Sequence, residues 1–146
     1  MDTIKQLREE TGLSFAQIKK ALDEANGDAD KAREVLRSYS AAQAEKKADR
    51  EIAAGVVASY VHGTATMGAI IVLGCETDFV ANNPDFRAMA NDIAMHVCAM
   101  APNDEAELMA QPFIKNGELT VEGYIQSGVQ KFGENVKLKS FSRYTV

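Results

Sequence analysis

The segment from Cys75 to Pro84 holds the side chains of this sequence that are best placed for chemistry. Cys75 is followed by Glu76 and Asp78, so a possible thiol nucleophile lies beside two carboxylates. The thiolate is the reactive form of cysteine, and neighbouring negative charge raises the thiol pKa, so this setting favours a small buried hydrophobe. A cysteine-dependent enzyme with His62 or His96 as its base remains one hypothesis.

The same segment also has the character of a binding loop. It contains two acids and a large aromatic, Phe79, within four residues, and it joins an apolar strand to a helix. Binding residues collect on loops that a rigid scaffold positions. The alternative is that Phe79 and Val80 fasten the loop to the core while Thr77 or Asp78 caps a helical turn. The residues alone leave both interpretations open.

Two other patterns that suggest ligand binding are weak. Gly63 and Gly68 have the spacing of a phosphate-binding loop, but Ala69-Ile70 follows where Lys and Ser or Thr are required, so a hairpin turn is favoured. His62 and His96 lack the local spacing of zinc ligands, so we expect surface or boundary histidines. The sequence therefore predicts no cofactor and no metal site.

Composition narrows the class of protein. The chain has 146 residues, 46% of them hydrophobic and 25% charged, with a formal net charge of −5, which argues against direct nucleic-acid binding. No stretch approaches the ~20 apolar residues of a membrane span, and the N-terminus has no signal-peptide pattern. Two cysteines without a Cys-x-x-Cys spacing exclude a zinc ribbon and a disulfide scaffold. We expect a cytoplasmic protein that does not contact a membrane.

Charged residues concentrate at the front of the chain and predict two structural units. Residues 1–39 are interpreted as a three-helix bundle, in which Ser14 and Gln17 form a capping box and Phe15 begins the apolar stripe of the second helix. Residues 40–55, rich in Ala, Glu, Lys and Arg, are interpreted as a helical linker. Residues 56–146 are interpreted as an α+β core domain.

The core should contain a three-stranded antiparallel sheet with helices on one face. The pattern predicts a polar connection over residues 102–117 with little periodicity. The second strand is apolar at nearly every position, so its other face needs a cover that this chain does not obviously supply. The predicted elements are strands Val56–His62, Ala69–Cys75 and Val136–Tyr144, and helices Pro84–Met100 (inward stripe Phe86, Met89, Ile93, Val97, Met100) and Glu118–Phe132.

Four separate motifs resemble the elongation factor Ts family. The loop just described is similar to the family signature NCETDFVA, with Gly74 in place of its asparagine. The matches span almost the whole chain in the correct order. They are Gly74–Ala81; Thr11-Gly12, Lys19–Leu22 and Ala25–Asp28, similar to TGAGMMDCKKAL…GD; Lys46–Gly55, similar to the KKA-R-AA-G linker; and Gly133–Val136, similar to the GEN turn and strand.

The resemblance implies a function without a catalytic group. Members of this family promote guanine-nucleotide exchange on elongation factor Tu: a ubiquitin-associated-type head docks on the partner, and the Asp-Phe pair enters it near the Mg²⁺ and phosphate site. Carried over, Asp78 and Phe79 are the wedge, and Thr77 and Val80 set the loop. The implied docking residues of the head are Leu13, Ser14, Lys19 and Lys20.

The resemblance also implies homodimerisation, because short family members stack sheet on sheet. Here strand Ala69–Cys75, with Phe141 and Tyr144 of the third strand, would supply the apolar face. The head departs from the family pattern at Leu13–Ile18; Leu13 and Phe15 are either apolar contacts or core there, and helical spacing favours core for Phe15. A ubiquitin-associated-type binding module without exchange activity is the alternative function.

Overall fold

The computed structural model describes residues 2–146 and contains an N-terminal group of helices followed by a sheet with helices packed on it. This arrangement confirms the predicted α+β class. The elements are α1 (Asp2–Thr11), α2 (Phe15–Glu24), α3 (Ala29–Lys47), β1 (Ala54–Val61), β2 (Met67–Cys75), α4 (Asp78–Ala81), α5 (Pro84–Met100), α6 (Glu105–Ala110), β3 (Pro112–Phe113), β4 (Asn116–Thr120), α7 (Val121–Phe132) and β5 (Lys137–Thr145).

Local capping determines where the head helices begin. The Ser14 hydroxyl accepts a hydrogen bond from the Gln17 N–H, and the Gln17 side chain accepts one from the Ser14 N–H, so the predicted capping box is confirmed. The Asp28 carboxylate accepts from the N–H groups of Asp30 and Lys31 and starts α3. These caps satisfy N–H groups that have no partner within the helix.

The head has its own hydrophobic cluster, centred on Leu7, Ile18 and Leu36. The prediction that Phe15 is core is wrong, because its side chain is 47% exposed, whereas Leu13 is buried. Phe15 is the first residue of α2, and helical side chains lean toward the N-terminus of their helix. Its ring therefore extends past the end of the packed bundle.

Helix α3 continues through the predicted linker as far as Lys47 and packs on α7 of the core. Polar contacts hold the two helices and their flanks together: Ser40 Oγ–H donates to Gln130 Oε1, and Lys47 Nζ lies 3.0 Å from the Gly133 carbonyl oxygen. The chain then turns and enters β1 at Ala54. We retain the division of the chain at residues 39 and 55 as a proposal.

The main sheet has the strand order β1-β2-β5, and all its neighbours are antiparallel. Alternate residues of β2 point to one side, where Ala69, Ile71, Leu73 and Cys75 are buried in the core cluster. Helix α5 covers this side with Phe86, Ile93 and Val97, as predicted. Met100 is an exception: it is 42% exposed at the helix end, so its predicted place on the buried stripe is wrong.

The other face of the sheet is open and carries several exposed apolar side chains among serines. Val57, Ile70 and Tyr144 are 70%, 45% and 65% exposed on it. Phe141 is not part of this face, contrary to prediction, because it pairs with the inward-pointing Ile71 and packs against the core. A bulge opposite Val72/Leu73 places one extra residue in β5, and such an insertion reverses which side chains of the strand face inward.

The region between α5 and α7 has more structure than its sequence indicates. The predicted polar connection contains α6, β3 and the start of β4. Strand β4 continues to Thr120, so α7 begins at Val121, three residues later than predicted. Thr120 explains that start, because its hydroxyl accepts from the Gly123 N–H at 3.0 Å. Helix α6 has six residues, too few for helical periodicity to be visible. Among residues 2–146, no helix has the length and apolarity that a membrane crossing requires.

Candidate functional site: an exposed aromatic on a fixed loop

The segment that resembles the family signature, residues 74–81, is called the signature loop below. It begins at the end of β2 and contains the single helical turn α4. Thr77 is its N-cap, with the hydroxyl oxygen 3.4 Å from the Val80 N–H. Val80 is buried, so it fastens the turn to the core as one of the two interpretations predicts. Phe79 does not, because its ring is 85% exposed. The loop therefore divides the two roles between neighbouring residues.

An exposed phenylalanine is a source of binding free energy. Burying a phenylalanine side chain is worth about 1.5–3 kcal/mol relative to leaving it in water. The fold leaves this gain unused at Phe79, next to the exposed carboxylate of Asp78. A partner surface that covers the ring would obtain it. The loop can thus bind a pocket that accepts an aromatic ring beside a negative charge.

The carboxylate of Glu134 holds the start of the loop. Its Oε1 accepts hydrogen bonds from the backbone N–H groups of Glu76 and Thr77, each at 3.0 Å. Its Oε2 accepts from the Thr77 hydroxyl at 2.6 Å. In return, Oε2 of Glu76 accepts from the Asn135 N–H at 2.6 Å. The sequence analysis did not assign this role to Glu134. The only indication in the sequence was the GEN motif, which contains Glu134 and Asn135.

A second set of contacts holds the far end of the loop. The Arg87 guanidinium donates to the Ala81 carbonyl oxygen at 3.2 Å and to Asn82 Oδ1 at 2.9 Å. Asn83 then caps α5 by accepting from the Asp85 N–H at 2.8 Å. Fixed ends reduce the number of conformations that the loop must lose on binding a partner.

Three of the four docking residues predicted in the head are exposed. Ser14, Lys19 and Lys20 are exposed, and Lys20 Nζ lies 5.1 Å from the centre of the Tyr39 ring. Leu13 is buried and presents little area to a partner. These residues belong to the head, whose hydrophobic cluster is distinct from the one beneath the loop. Phe15, which helical spacing assigned to the core, is exposed on the head.

The Cys75 thiol is placed as a structural group rather than as a nucleophile. Cys75 is fully buried, and its Sγ–H donates to the Thr77 carbonyl oxygen at 3.3 Å. Burial raises the pKa of the Cys75 thiol, and the negative charges of Glu134 and Asp78 raise it further. Within residues 2–146 no three His, Cys, Asp or Glu side chains are grouped as metal ligands would be.

His96 is buried rather than at the surface or boundary, which corrects that prediction, whereas His62 is exposed. Nδ1 of His96 accepts from the Ile114 N–H at 3.1 Å, and Nε2 of His96 lies 2.9 Å from Gln111 Oε1. A neutral ring with its proton on Nε2 satisfies both contacts, and burial lowers the pKa of the ring accordingly. His96 fastens the segment after α6 to α5.

We expect Cys75 to resist alkylation in the folded protein at pH 7. Its raised pKa leaves little thiolate, and burial denies access, so labelling by iodoacetamide should be at least roughly tenfold slower than in urea. Peptide mapping by mass spectrometry separates Cys75 from Cys98, which is also buried. Labelling of Cys75 in the folded state as fast as in urea would contradict the structural role and favour the cysteine-enzyme hypothesis.

Comparison with known proteins identifies the family to which the chain is similar. The family model described as Elongation factor TS matches residues 76–146. Elongation factor Ts of Thermosipho melanesiensis is 36% identical over 188 residues, an alignment that covers 98% of this chain and 96% of that protein. Elongation factor Ts of Carboxydothermus hydrogenoformans is 34% identical over 186 residues, with coverage of 97% and 86%.

Elongation factor Ts of Aquifex aeolicus is 41% identical over 149 residues, which include 99% of this chain and 51% of that protein. The alignments with the Thermosipho and Carboxydothermus proteins are longer than this chain of 146 residues, so those relatives carry additional residues within the aligned region. Because identity above one third extends over nearly the full length of both partners in the Thermosipho alignment, the chain belongs to the elongation factor Ts family of translation elongation factors.

Proposed function

We propose that this protein is a guanine-nucleotide exchange factor that promotes GDP release from elongation factor Tu. The observation that carries the proposal is Phe79, which is 85% exposed on a loop fixed at both ends. The names of the relatives and the signature around this residue support the same conclusion. The protein would act in the cytoplasm, without a cofactor and without touching nucleic acid directly.

Exchange requires differential binding rather than a nucleophile. A protein that binds the nucleotide-free partner more tightly than the GDP-bound partner weakens GDP binding by the same factor. In our proposal Phe79 enters the GTPase domain of elongation factor Tu near its Mg²⁺ and phosphate site. Asp78 then brings a negative charge toward the phosphates, and like charges repel at short range. Thr77 and Val80 keep the pair in place.

The head would dock on the same partner through the exposed side chains of Ser14, Lys19 and Lys20. Phe15 joins this set, because it is the exposed apolar residue at the start of α2. Leu13 acts from beneath as packing for the surface rather than as a contact. Two docking points on one partner also explain why the head is fastened to the core through α3 and α7.

The second partner we propose is another copy of this chain. The open sheet face presents Val57, Val61, Ile70 and Tyr144 to solvent, and large apolar side chains exposed together on one face are typical of an interaction surface. A two-fold axis would let the same face cover itself. This dimer would give the sheet the second layer that an apolar central strand requires.

Release of fluorescent GDP from elongation factor Tu tests the exchange function. With the full chain added, we expect release to accelerate by at least roughly tenfold, a factor toward the lower end of the usual coupling between two binding sites. The control is the same amount of heat-unfolded protein. Unchanged release in the presence of folded protein would refute exchange and favour the head as a simple binding module.

A further inference from the structure

Residues 133–137, which run from the end of α7 into the start of β5, contact both the signature loop and the chain that follows α3. Glu134 binds the start of the loop through three hydrogen bonds, two from backbone N–H groups and one from a hydroxyl. Its neighbour Asn135 is only 2% exposed and donates from Nδ2 to the carbonyl oxygen of Arg50 at 2.9 Å. Lys137 Nζ reaches the carbonyl oxygen of Ala48 at 2.7 Å. These five residues thus hold both the loop and the chain that leaves the head.

From these contacts we infer that Glu134 is a positioning residue, which holds Phe79 and Asp78 in their binding arrangement without touching the partner. This inference rests on the proposed exchange function. Glu134 reaches Phe79 through Thr77, because the carboxylate fixes both the backbone and the hydroxyl of the residue that caps α4. Hydrogen bonds to a charged acceptor are stronger than those between neutral groups.

Loss of this carboxylate has a specific kinetic consequence. The loop would then occupy its binding arrangement only part of the time, and apparent affinity falls by that fraction. Once partner and factor are saturated, Phe79 is in place whichever arrangement dominated before. Glu134→Ala should therefore raise the concentration for half-maximal GDP release by about tenfold while the plateau rate changes by less than about twofold. A residue of the wedge itself would lower the plateau.

The order of the loop can be measured without the partner. The sequence contains no tryptophan, so Phe79→Trp introduces a single tryptophan at the exposed ring, and its fluorescence can be excited selectively beyond the absorption of the four tyrosines. In this background, Glu134→Ala should increase the amplitude of fast local rotation in time-resolved anisotropy. Glu134→Gln should restore most of the parent value, because its amide oxygen still accepts from both N–H groups, although its NH2 group cannot accept from the Thr77 hydroxyl. Far-ultraviolet circular dichroism checks that each variant is folded.

The exchange assay uses the protein that keeps Phe79, without the tryptophan substitution. Glu122→Ala is the matched control, because Glu122 is an exposed glutamate on α7. Increased rotation together with the selective rise in half-maximal concentration, both reversed by Glu134→Gln, would support the inference. Unchanged rotation in the folded Glu134→Ala variant would overturn it. So would increased rotation with an unchanged half-maximal concentration. If the parent protein fails to release GDP, the exchange function is refuted, and anisotropy alone decides whether Glu134 orders the loop.

Discussion

Phe79→Ala is expected to abolish most of the stimulated GDP release from elongation factor Tu. Truncating a buried aromatic anchor costs about 2 kcal/mol or more, which is roughly thirtyfold in rate or affinity. Because this ring is 85% exposed in the free protein, its removal should leave the free energy of unfolding within about 0.5 kcal/mol of the parent value. We therefore expect Phe79→Ala to lose exchange activity while its free energy of unfolding stays close to that of the parent protein.

The control for this prediction is a second exposed apolar side chain outside the loop. Ile114 is 42% exposed on the β3–β4 hairpin, and the hydrogen bond it makes to His96 comes from its backbone. Ile114→Ala should leave GDP release unchanged. Urea unfolding of both variants completes the comparison. Normal stimulation by a folded Phe79→Ala protein would remove this ring from the mechanism.

Ile70→Lys is expected to convert a dimer into a monomer. Ile70 is in the middle of the open sheet face, opposite Ser59 on one side and Ser142 on the other. In a symmetric dimer each substitution occurs twice, so two lysine ammonium groups would enter one apolar interface. Burying unpaired charges costs several kcal/mol, and we expect the dissociation constant to rise by at least about a hundredfold.

Sedimentation velocity at tens of micromolar measures this change directly. The control Ala88→Lys adds the same charge at an exposed position of α5, away from the open face. It should leave the sedimentation coefficient at the dimer value. A parent chain that sediments as a monomer at these concentrations would refute the dimer. A variant that stays dimeric would place the interface elsewhere.

Features that depend on neighbours in the sequence could be predicted. The capping box of Ser14 and Gln17, both strands of the β1–β2 hairpin and the position of the signature loop all follow from local patterns. Phe15 shows the limit of such patterns. Helical spacing assigns it to the core, but spacing does not indicate where the packed part of the bundle ends. Phe141 shows another, because one bulge in β5 reverses the faces predicted from alternation.

The hydrogen bonds from the loop to Glu134 could not be predicted, because they depend on tertiary structure. Glu134 is 57 residues away from Thr77, and no periodicity or spacing rule relates two such positions. The resemblance marked both motifs but not their contact. Likewise, the burial of His96 depends on α6 and the hairpin after it, which are too short to give a clear pattern.

The distance along the chain between Glu134 and the loop also orders events during synthesis. A ribosome releases residues 76–81 well before residue 134, so the nascent loop at first lacks the carboxylate that fixes its backbone. The central strand β2 likewise waits for its partner β5. Contacts between distant residues form late because closing a long loop costs entropy first. The loop that carries Phe79 therefore gains the carboxylate that holds its start only after residue 134 has emerged.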